Sequence, residues 1–201
     1  MRLRELSIAG AWEAVPTIHS DGRGAFLESY RSDALAEAIG HRFDLAQMNV
    51  SASRRGVVRG VHYADVPPGQ AKYVQCLRGS ILDVVVDLRV GSPTFGAWDG
   101  VRLDDVRRSA VYVSEGLGHA FVALEDDTTV AYLVSEAYHP EREHGVSPLD
   151  AQLAIDFGLP PGELVLSDKD RDAPTLAEAL RRGALPDYEV VRAHIGRLAG
   201  R

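Results

Sequence analysis

The chain has 201 residues, 45% of them hydrophobic and 25% charged, a composition typical of one globular domain spanning residues 1–201. Its net charge of −7 and its pI of 5.5 argue against a general nucleic-acid or membrane-surface binder, because both need a basic face. The sequence has no long apolar run, no hydrophobic signal core at its N-terminus and a single cysteine, and it therefore predicts a soluble, cytoplasmic protein.

The predicted elements begin with a helix over residues 32–40, which starts at a capping serine and ends at a glycine. From about residue 47 to residue 135, short β-rich runs alternate with turn signals, and side chains alternate between two faces along 81–88. Two further helical patterns follow, over 174–182 and, more weakly, over 188–198. Strands at this spacing predict a mainly β protein, an antiparallel sandwich or barrel with short flanking helices.

The segment from Gly56 to Gly79 resembles in outline the first metal-binding motif of cupin jelly rolls. His62 is present, but Ala64 stands where a second histidine would be, and the segment contains no glutamate. The second motif survives only as Gly116-Leu-Gly-His119. Because a catalytic divalent metal usually takes three protein ligands, two separated imidazoles make a poor site, and we expect no metal.

His62 lies in Arg59-Gly-Val-His62-Tyr63 and is followed by a Pro/Gly-rich loop that ends at Lys72. A lone histidine is most often a core residue bonded to a backbone carbonyl, but these cationic neighbours would be costly to bury without a partner. Histidine is also a suitable base for a carbon acid next to a carbonyl. It would need a carboxylate to orient it. The best candidate lies in Leu166-Ser-Asp-Lys-Asp170 and the second is Asp83, on the polar face of its strand, but the sequence alone does not pair either with His62.

Three other residues allow both an ordinary and a functional interpretation. Tyr132 lies in a late β-patterned run and is most simply an aromatic core residue. Tyr138 precedes His139-Pro140 in a loop and could stack on a flat ligand. Arg23 lies in Asp21-Gly-Arg-Gly-Ala-Phe26, a predicted turn followed by a strand, where a solvated arginine is the ordinary interpretation.

Several motifs, in their order and spacing, resemble the dTDP-4-dehydrorhamnose 3,5-epimerase family and its relatives in antibiotic deoxysugar pathways. The resemblance runs from the turn at residue 21 to residue 170 and implies a cupin-type jelly roll, a homodimer, no metal and no redox cofactor. The implied substrate is a dTDP-4-keto-6-deoxyhexose. The motifs are Arg59-Gly-Val-His62-Tyr63, Gly91-Ser-Pro-Thr-Phe-Gly96, Gly118-His-Ala-Phe121, Pro140-Glu-Arg-Glu143 and Leu166-Ser-Asp-Lys-Asp170.

The resemblance also implies roles by position. His62 matches the general base, Asp170 its orienting carboxylate, and Tyr132 the acid on the opposite face of the sugar. Lys72 matches the residue that stabilises the enolate oxygen, and Tyr138 the residue that stacks on thymine. The other matched substrate-contacting positions are Arg23, Glu28, Gln47, Asn49, Arg59, His119, Glu143 and Lys169.

The sequence departs from the common family pattern at Tyr132-Leu-Val-Ser135, over residues 144–150 and in the loop 66–72. These departures resemble the antibiotic-sugar branch, some members of which invert only one carbon, so inversion at C3 alone and at both C3 and C5 stay open. Two other functions also stay open: a 3,4-ketoisomerase of related fold and a non-catalytic sugar-nucleotide binding module. Tyr132 argues against the first, and the presence of both an acid and a base argues against the second.

Overall fold

A computed structural model describes residues 1–200, in which antiparallel strands form three sheets and short helices lie at the flanks. The strands are β1 (Arg2–Glu5), β2 (Ala11–Val15), β3 (Ile18–Asp21), β4 (Gly24–Leu27), β5 (Gln47–Ser53), β6 (Val58–Ala64), β7 (Lys72–Arg78), β8 (Ser80–Val86), β9 (Trp98–Asp104), β10 (Ala110–Val113), β11 (Gly118–Ala123), β12 (Thr128–Val134) and β13 (Glu143–Gly145). The helices are α1 (Ser32–Ile39), α2 (Asp168–Arg171), α3 (Leu176–Arg181) and α4 (Tyr188–Ala199). No helix among these residues is long and apolar enough to cross a membrane.

Two large sheets form the body of the molecule. One has the strand order β1-β2-β10-β7-β12-β5 and the other β13-β6-β11-β8-β9, while β3 and β4 form a separate hairpin. Apolar side chains from both large sheets form one buried cluster, so the main core lies between them. The predicted antiparallel sandwich with short flanking helices is therefore confirmed.

Strand β8 explains why the β pattern was easy to detect. Ile81 and Val85 pack in the core between the two sheets. Val84 and Val86 point the other way and pack in a second cluster that includes residues of α3. Both faces of the strand are thus buried. The polar Asp83 is buried on the core-facing side, where it hydrogen-bonds His119.

The N-terminal part differs from the prediction. Strands β1, β2 and β3 lie in a region where no strand was expected, because runs of four or five residues carry little periodicity. Strand β4 follows the turn at Asp21–Gly24, as the sequence predicted. Helix α1 is confirmed, but Ser32 is its first residue and not its cap; Arg31 takes the cap position without a side-chain bond. Helix α3 begins after Thr175, which forms a capping box with Glu178.

Gly60 allows β6 and β11 to approach closely, next to His62 and His119. Its φ is +129°, and a Cβ at this position would lie 2.4 Å from the Cβ of Ala120 and 2.6 Å from the carbonyl oxygen of His119.

Cys76 is buried in β7, where burial raises the pKa of its thiol to about 11, as expected for a packed and unreactive cysteine.

Candidate active site

A cavity of about 600 Å³ lies between the two large sheets. Strands β5, β7 and β12 of the six-stranded sheet form one wall, and β6 and β11 of the five-stranded sheet form the other. The segment 165–170 completes the rim. All but three of the predicted site residues line it: His62, Tyr132, Asp170, Lys72, Asn49, Arg59, His119, Tyr138, Glu143 and Lys169.

His62 and Asp170 form a hydrogen-bonded pair in the cavity. His62 lies on β6 and Asp170 on α2, and the distance from Nε2 to Oδ1 is 2.6 Å. Ser167 caps α2 and donates to the other carboxylate oxygen over 2.9 Å, which fixes Asp170 in place. This pair settles the choice that the sequence left open, and it leaves Nδ1 of His62 as the nitrogen that can accept a proton.

The carboxylate of Asp170 is ionised at neutral pH. Burial alone would raise its pKa, but the hydrogen bonds and charge of His62, together with the bond from Ser167, outweigh burial. The pKa of Asp170 therefore lies below its usual value of 3.8. An ionised partner holds the imidazole in one tautomer and stabilises the imidazolium that forms when His62 takes up a proton.

Asp83, the other carboxylate considered for His62, pairs with His119 instead. The distance from His119 Nε2 to Asp83 Oδ2 is 2.8 Å, and both residues are buried. His119 is the cross-strand partner of His62, so two imidazoles with separate carboxylates stand side by side on the same wall.

Tyr132 lies on the opposite wall from His62. Its strand, β12, belongs to the six-stranded sheet, and its ring packs edge-on against His119 at 6.4 Å between centroids. Burial raises the pKa of Tyr132 to about 12, although the hydrogen bond between its hydroxyl and that of Ser51 and the charge of Arg59 act in the opposite direction. The phenol is therefore protonated at neutral pH and can act as a proton donor.

Lys72 is buried on β7 and lines the cavity, on the same sheet as Tyr132. Burial lowers the pKa of its ammonium, and the charges of Glu143 and Glu115 partly oppose this effect. A cation in a cavity with little water interacts strongly with any negative charge that develops there.

The other cations and the exposed aromatic ring lie toward solvent. Arg59 and Lys169 are exposed along the cavity, and Arg59 donates from Nε to Ser53 Oγ over 3.2 Å. Tyr138 is 56% exposed. The cavity thus holds a histidine–carboxylate pair, a phenol and a buried ammonium, with exposed cations and an exposed ring along its edge.

Three predicted site residues lie outside the cavity of this chain. Arg23 lies at the tip of the β3–β4 hairpin, where its side chain is 91% exposed and contacts Asp21. Glu28 is exposed beyond the same hairpin, 3.6 Å from Arg31. Gln47 hydrogen-bonds Asn49 and the backbone of Tyr138 and so supports two residues of the cavity wall.

Sequence reasoning missed Ser51 and Ser167. Ser51 contacts the Tyr132 hydroxyl at 2.9 Å, and Ser167 holds Asp170. A signal for Ser51 was present, because residues two apart on a strand share a face and Ser51 follows Asn49 by two. Among residues 1–200, no three His, Cys, Asp or Glu side chains cluster with the geometry of a metal site.

The chain is similar to known sugar-nucleotide epimerases. The profile of the dTDP-4-dehydrorhamnose 3,5-epimerase family matches residues 5–178. A dTDP-4-dehydrorhamnose 3-epimerase from Streptomyces niveus is 58% identical over 193 residues, which cover 96% of this chain and 92% of the relative. A dTDP-4-dehydrorhamnose 3,5-epimerase from Mycolicibacterium smegmatis is 56% identical over 195 residues, which cover 97% of this chain and 96% of the relative.

A solved structure extends the similarity to the fold. The 3'-monoepimerase ChmJ from Streptomyces bikiniensis, in complex with dTDP-quinovose, superposes with a TM-score of 0.93 at 51% identity. The match covers 98% of this chain and 98% of ChmJ. The predicted cupin-type jelly roll is thereby confirmed.

Proposed function

Since this chain belongs to the dTDP-4-dehydrorhamnose 3,5-epimerase family, we propose that its cavity epimerises a dTDP-4-keto-6-deoxyhexose without a metal or a redox cofactor. The observation that carries the proposal is the placement of His62 and Tyr132 on opposite walls of one cavity, with Lys72 beside them. Inversion requires a proton to leave one face of a carbon and another to arrive at the opposite face, and these two residues supply the two faces.

The proposed reaction passes through an enolate. His62 Nδ1 takes the hydrogen from the carbon next to the C4 ketone, and the electron pair of that bond moves to the ketone oxygen. Lys72 stabilises the negative oxygen, an interaction worth about 3 kcal/mol for an oriented donor. Tyr132 then gives its hydroxyl proton to the same carbon from the other side, and the ketone re-forms.

The outer part of the cavity fits the nucleotide. Arg59 and Lys169 would neutralise the charge of the diphosphate. The net charge of −7 does not oppose this, because only the cations next to the diphosphate are needed. Tyr138 would stack on thymine, while Asn49, Glu143 and His119 would contact the substrate by hydrogen bonds. The cavity volume of about 600 Å³ lies in the usual range for small-molecule sites.

We further propose that the chain, as one domain spanning residues 1–201, works as a cytoplasmic homodimer in which Arg23 and Glu28 reach the cavity of the second copy. The β3–β4 hairpin carries Arg23 on its tip and exposes Phe26 at 71%. Strand β5 is an edge strand whose Met48 is 56% exposed, and an exposed apolar edge favours pairing with a second copy.

Subunit complementation tests this arrangement. Arg23→Ala and His62→Ala proteins, each inactive, are unfolded and refolded as an equal mixture. Half of the dimers that form are then mixed, and each mixed dimer has one site with both native residues and one site with neither. The mixture should therefore regain about a quarter of wild-type activity. A monomer in sedimentation at assay concentration, or no regain on mixing, would contradict the proposal.

The carbons that invert are not decided by the names of the relatives, since one is a 3-epimerase and another a 3,5-epimerase at nearly equal identity. Inverting a second carbon requires the ring to move so that C5 meets the same base. Proton transfer tolerates little displacement of the reacting atoms, so a small shift in the position of the sugar ring would take C5 out of reach of the base before C3. We therefore propose that C3 exchanges faster than C5 and is the main carbon inverted.

Proton NMR of dTDP-4-keto-6-deoxyglucose in D₂O with the purified protein tests the function. The proposal predicts deuterium at C3, with slower or no label at C5, and an epimerised product. Equal rates at both carbons would establish a 3,5-epimerase. A keto group moved to C3 would establish the 3,4-ketoisomerase alternative, and no change at all would contradict epimerisation of this substrate.

A further inference from the structure

The hydroxyl of Ser51 lies against the hydroxyl of Tyr132. Ser51 is on β5, which pairs with β12 so that Ser51 faces Val130 and Asn49 faces Tyr132. Ser51 and Tyr132 are therefore diagonal neighbours on the cavity-facing side of the sheet, and their oxygens are 2.9 Å apart. The next residue on the same face of β5, Ser53, contacts Arg59 instead.

The environment of Tyr132 makes its charged form costly. When Tyr132 gives up its proton, a phenolate remains at a position where burial disfavours negative charge, and the carboxylate of Asp83 acts in the same direction. Ser51 is the hydrogen-bond partner of the phenol oxygen among residues 1–200. A hydroxyl that donates to the phenolate offsets part of this cost.

We propose that Ser51 is a positioning residue for Tyr132 and controls whether the enolate is inverted. Its hydroxyl donates to the phenol oxygen, which leaves the proton of Tyr132 free to point at the substrate. After that proton forms the new carbon–hydrogen bond, the same Ser51 hydroxyl stabilises the phenolate. The proton taken from the original carbon is then on His62, and both residues return to their starting states by exchange with water.

This role has a specific kinetic consequence, which rests on the proposed epimerase function. The enolate has two fates: protonation by Tyr132, which inverts the carbon, and return of a proton from His62, which does not. Because the imidazolium proton exchanges with solvent, the second fate still brings deuterium into the substrate. Loss of Ser51 disfavours only the first fate, so solvent exchange persists while inversion slows.

The test measures both rates by proton NMR in D₂O for wild-type protein, Ser51→Ala, Ser51→Thr and Ser53→Ala. In Ser51→Ala, the ratio of inversion to exchange should fall about tenfold to a hundredfold, the usual effect of removing a hydrogen bond to a charged group. Ser51→Thr keeps a hydroxyl and should recover most of the ratio. Ser53→Ala removes a hydroxyl from the same strand face but not from Tyr132, and it should leave the ratio at the wild-type value.

Other results would overturn the inference. An unchanged ratio in Ser51→Ala with only a higher KM would mean that Ser51 contacts the substrate and not the acid. An equal fall of the ratio in Ser51→Ala and Ser53→Ala would assign the effect to the strand as a whole. Wild-type protein that neither exchanges nor inverts the substrate would instead refute the proposed function, and the role of Ser51 with it.

Discussion

Replacing Lys72 with methionine should lower kcat strongly while leaving the fold intact. The side chain is buried in β7, and methionine matches its length and apolar stem without the charge. If the ammonium stabilises the enolate oxygen, its loss costs about 3 kcal/mol of transition-state stabilisation, which corresponds to roughly a hundredfold in kcat.

The same burial predicts a pH dependence. Burial lowers the pKa of Lys72 below its usual value of 10.5, so the charged form that catalysis needs is lost as pH rises through the lowered value. Activity should therefore decline at alkaline pH before 10.5 is reached, whereas Tyr132, with a pKa of about 12, still holds its proton. The residual activity of Lys72→Met should lack this alkaline decline.

The stability effect has the opposite sign from the catalytic one. A lysine whose pKa is lower in the folded state than in the unfolded state destabilises the fold at neutral pH, and the cost is relieved as pH rises toward 10.5. The free energy of unfolding of Lys72→Met at pH 7, measured in urea, should consequently equal or exceed that of the wild-type protein.

The chain's other lysine supplies the control. Lys169 lies in α2 at the exposed rim, so Lys169→Met should raise KM and change kcat little. Steady-state kinetics of the two variants separate the two roles. The reasoning is refuted if Lys72→Met keeps a kcat close to that of the wild-type protein, or if both variants lose kcat equally.

Further outcomes are expected from the same geometry. Tyr132→Phe should lose most inversion while solvent exchange continues, as followed by proton NMR in D₂O; full retention of inversion would remove Tyr132 from the acid role. Protein treated with a chelator and verified metal-free by elemental analysis should keep its activity, and a loss that one divalent ion restores would refute cofactor-free chemistry. Asp87→Asn should cost about 3–5 kcal/mol in urea unfolding at pH 7, since it leaves Arg89 buried without its carboxylate. Burial would raise the pKa of Asp87, but hydrogen bonds from Arg89, Ser92 and Thr94 outweigh it and hold that pKa below 3.8. The difference should therefore be constant above the unfolded value of 3.8, shrink as pH falls below it, and reach its minimum once pH is below the lowered folded value; a constant difference at all pH values would contradict the assignment.

The sequence predicted the β sandwich because its central strands carry strong local signals. Along 81–88 the alternation separates two faces, and both of these faces are buried in the structure. Strands β1 and β2 have no such signal; β2 takes its place in the sheet by pairing with β10, and β1 by pairing with β2. A local sequence pattern therefore reveals a strand whose side chains are buried in a regular alternation. It misses a short strand whose position depends on pairing with another strand.

The candidate site shows the same division. His62 could be interpreted as a base from its residue type, whereas Tyr132 was most simply a core residue, and only the resemblance to a known family assigned it the role of acid. Their partners could not be derived from spacing, because Asp170 is 108 residues from His62 and reaches it only through α2 and its Ser167 cap. Asp83 was the second candidate for that partner until the structure paired it with His119.

The most direct test of the account is the appearance of deuterium in dTDP-4-keto-6-deoxyglucose in D₂O with wild-type protein, His62→Ala and His194→Ala. His194 lies on α4, away from the cavity, so His194→Ala removes an imidazole without touching the site and serves as the control. Exchange at C3 should fall by about 10²–10⁴-fold in His62→Ala, the usual cost of losing a general base, and persist in His194→Ala. Exchange at a rate close to wild type in His62→Ala would place the base elsewhere, with His119 the next candidate, and would contradict the mechanism.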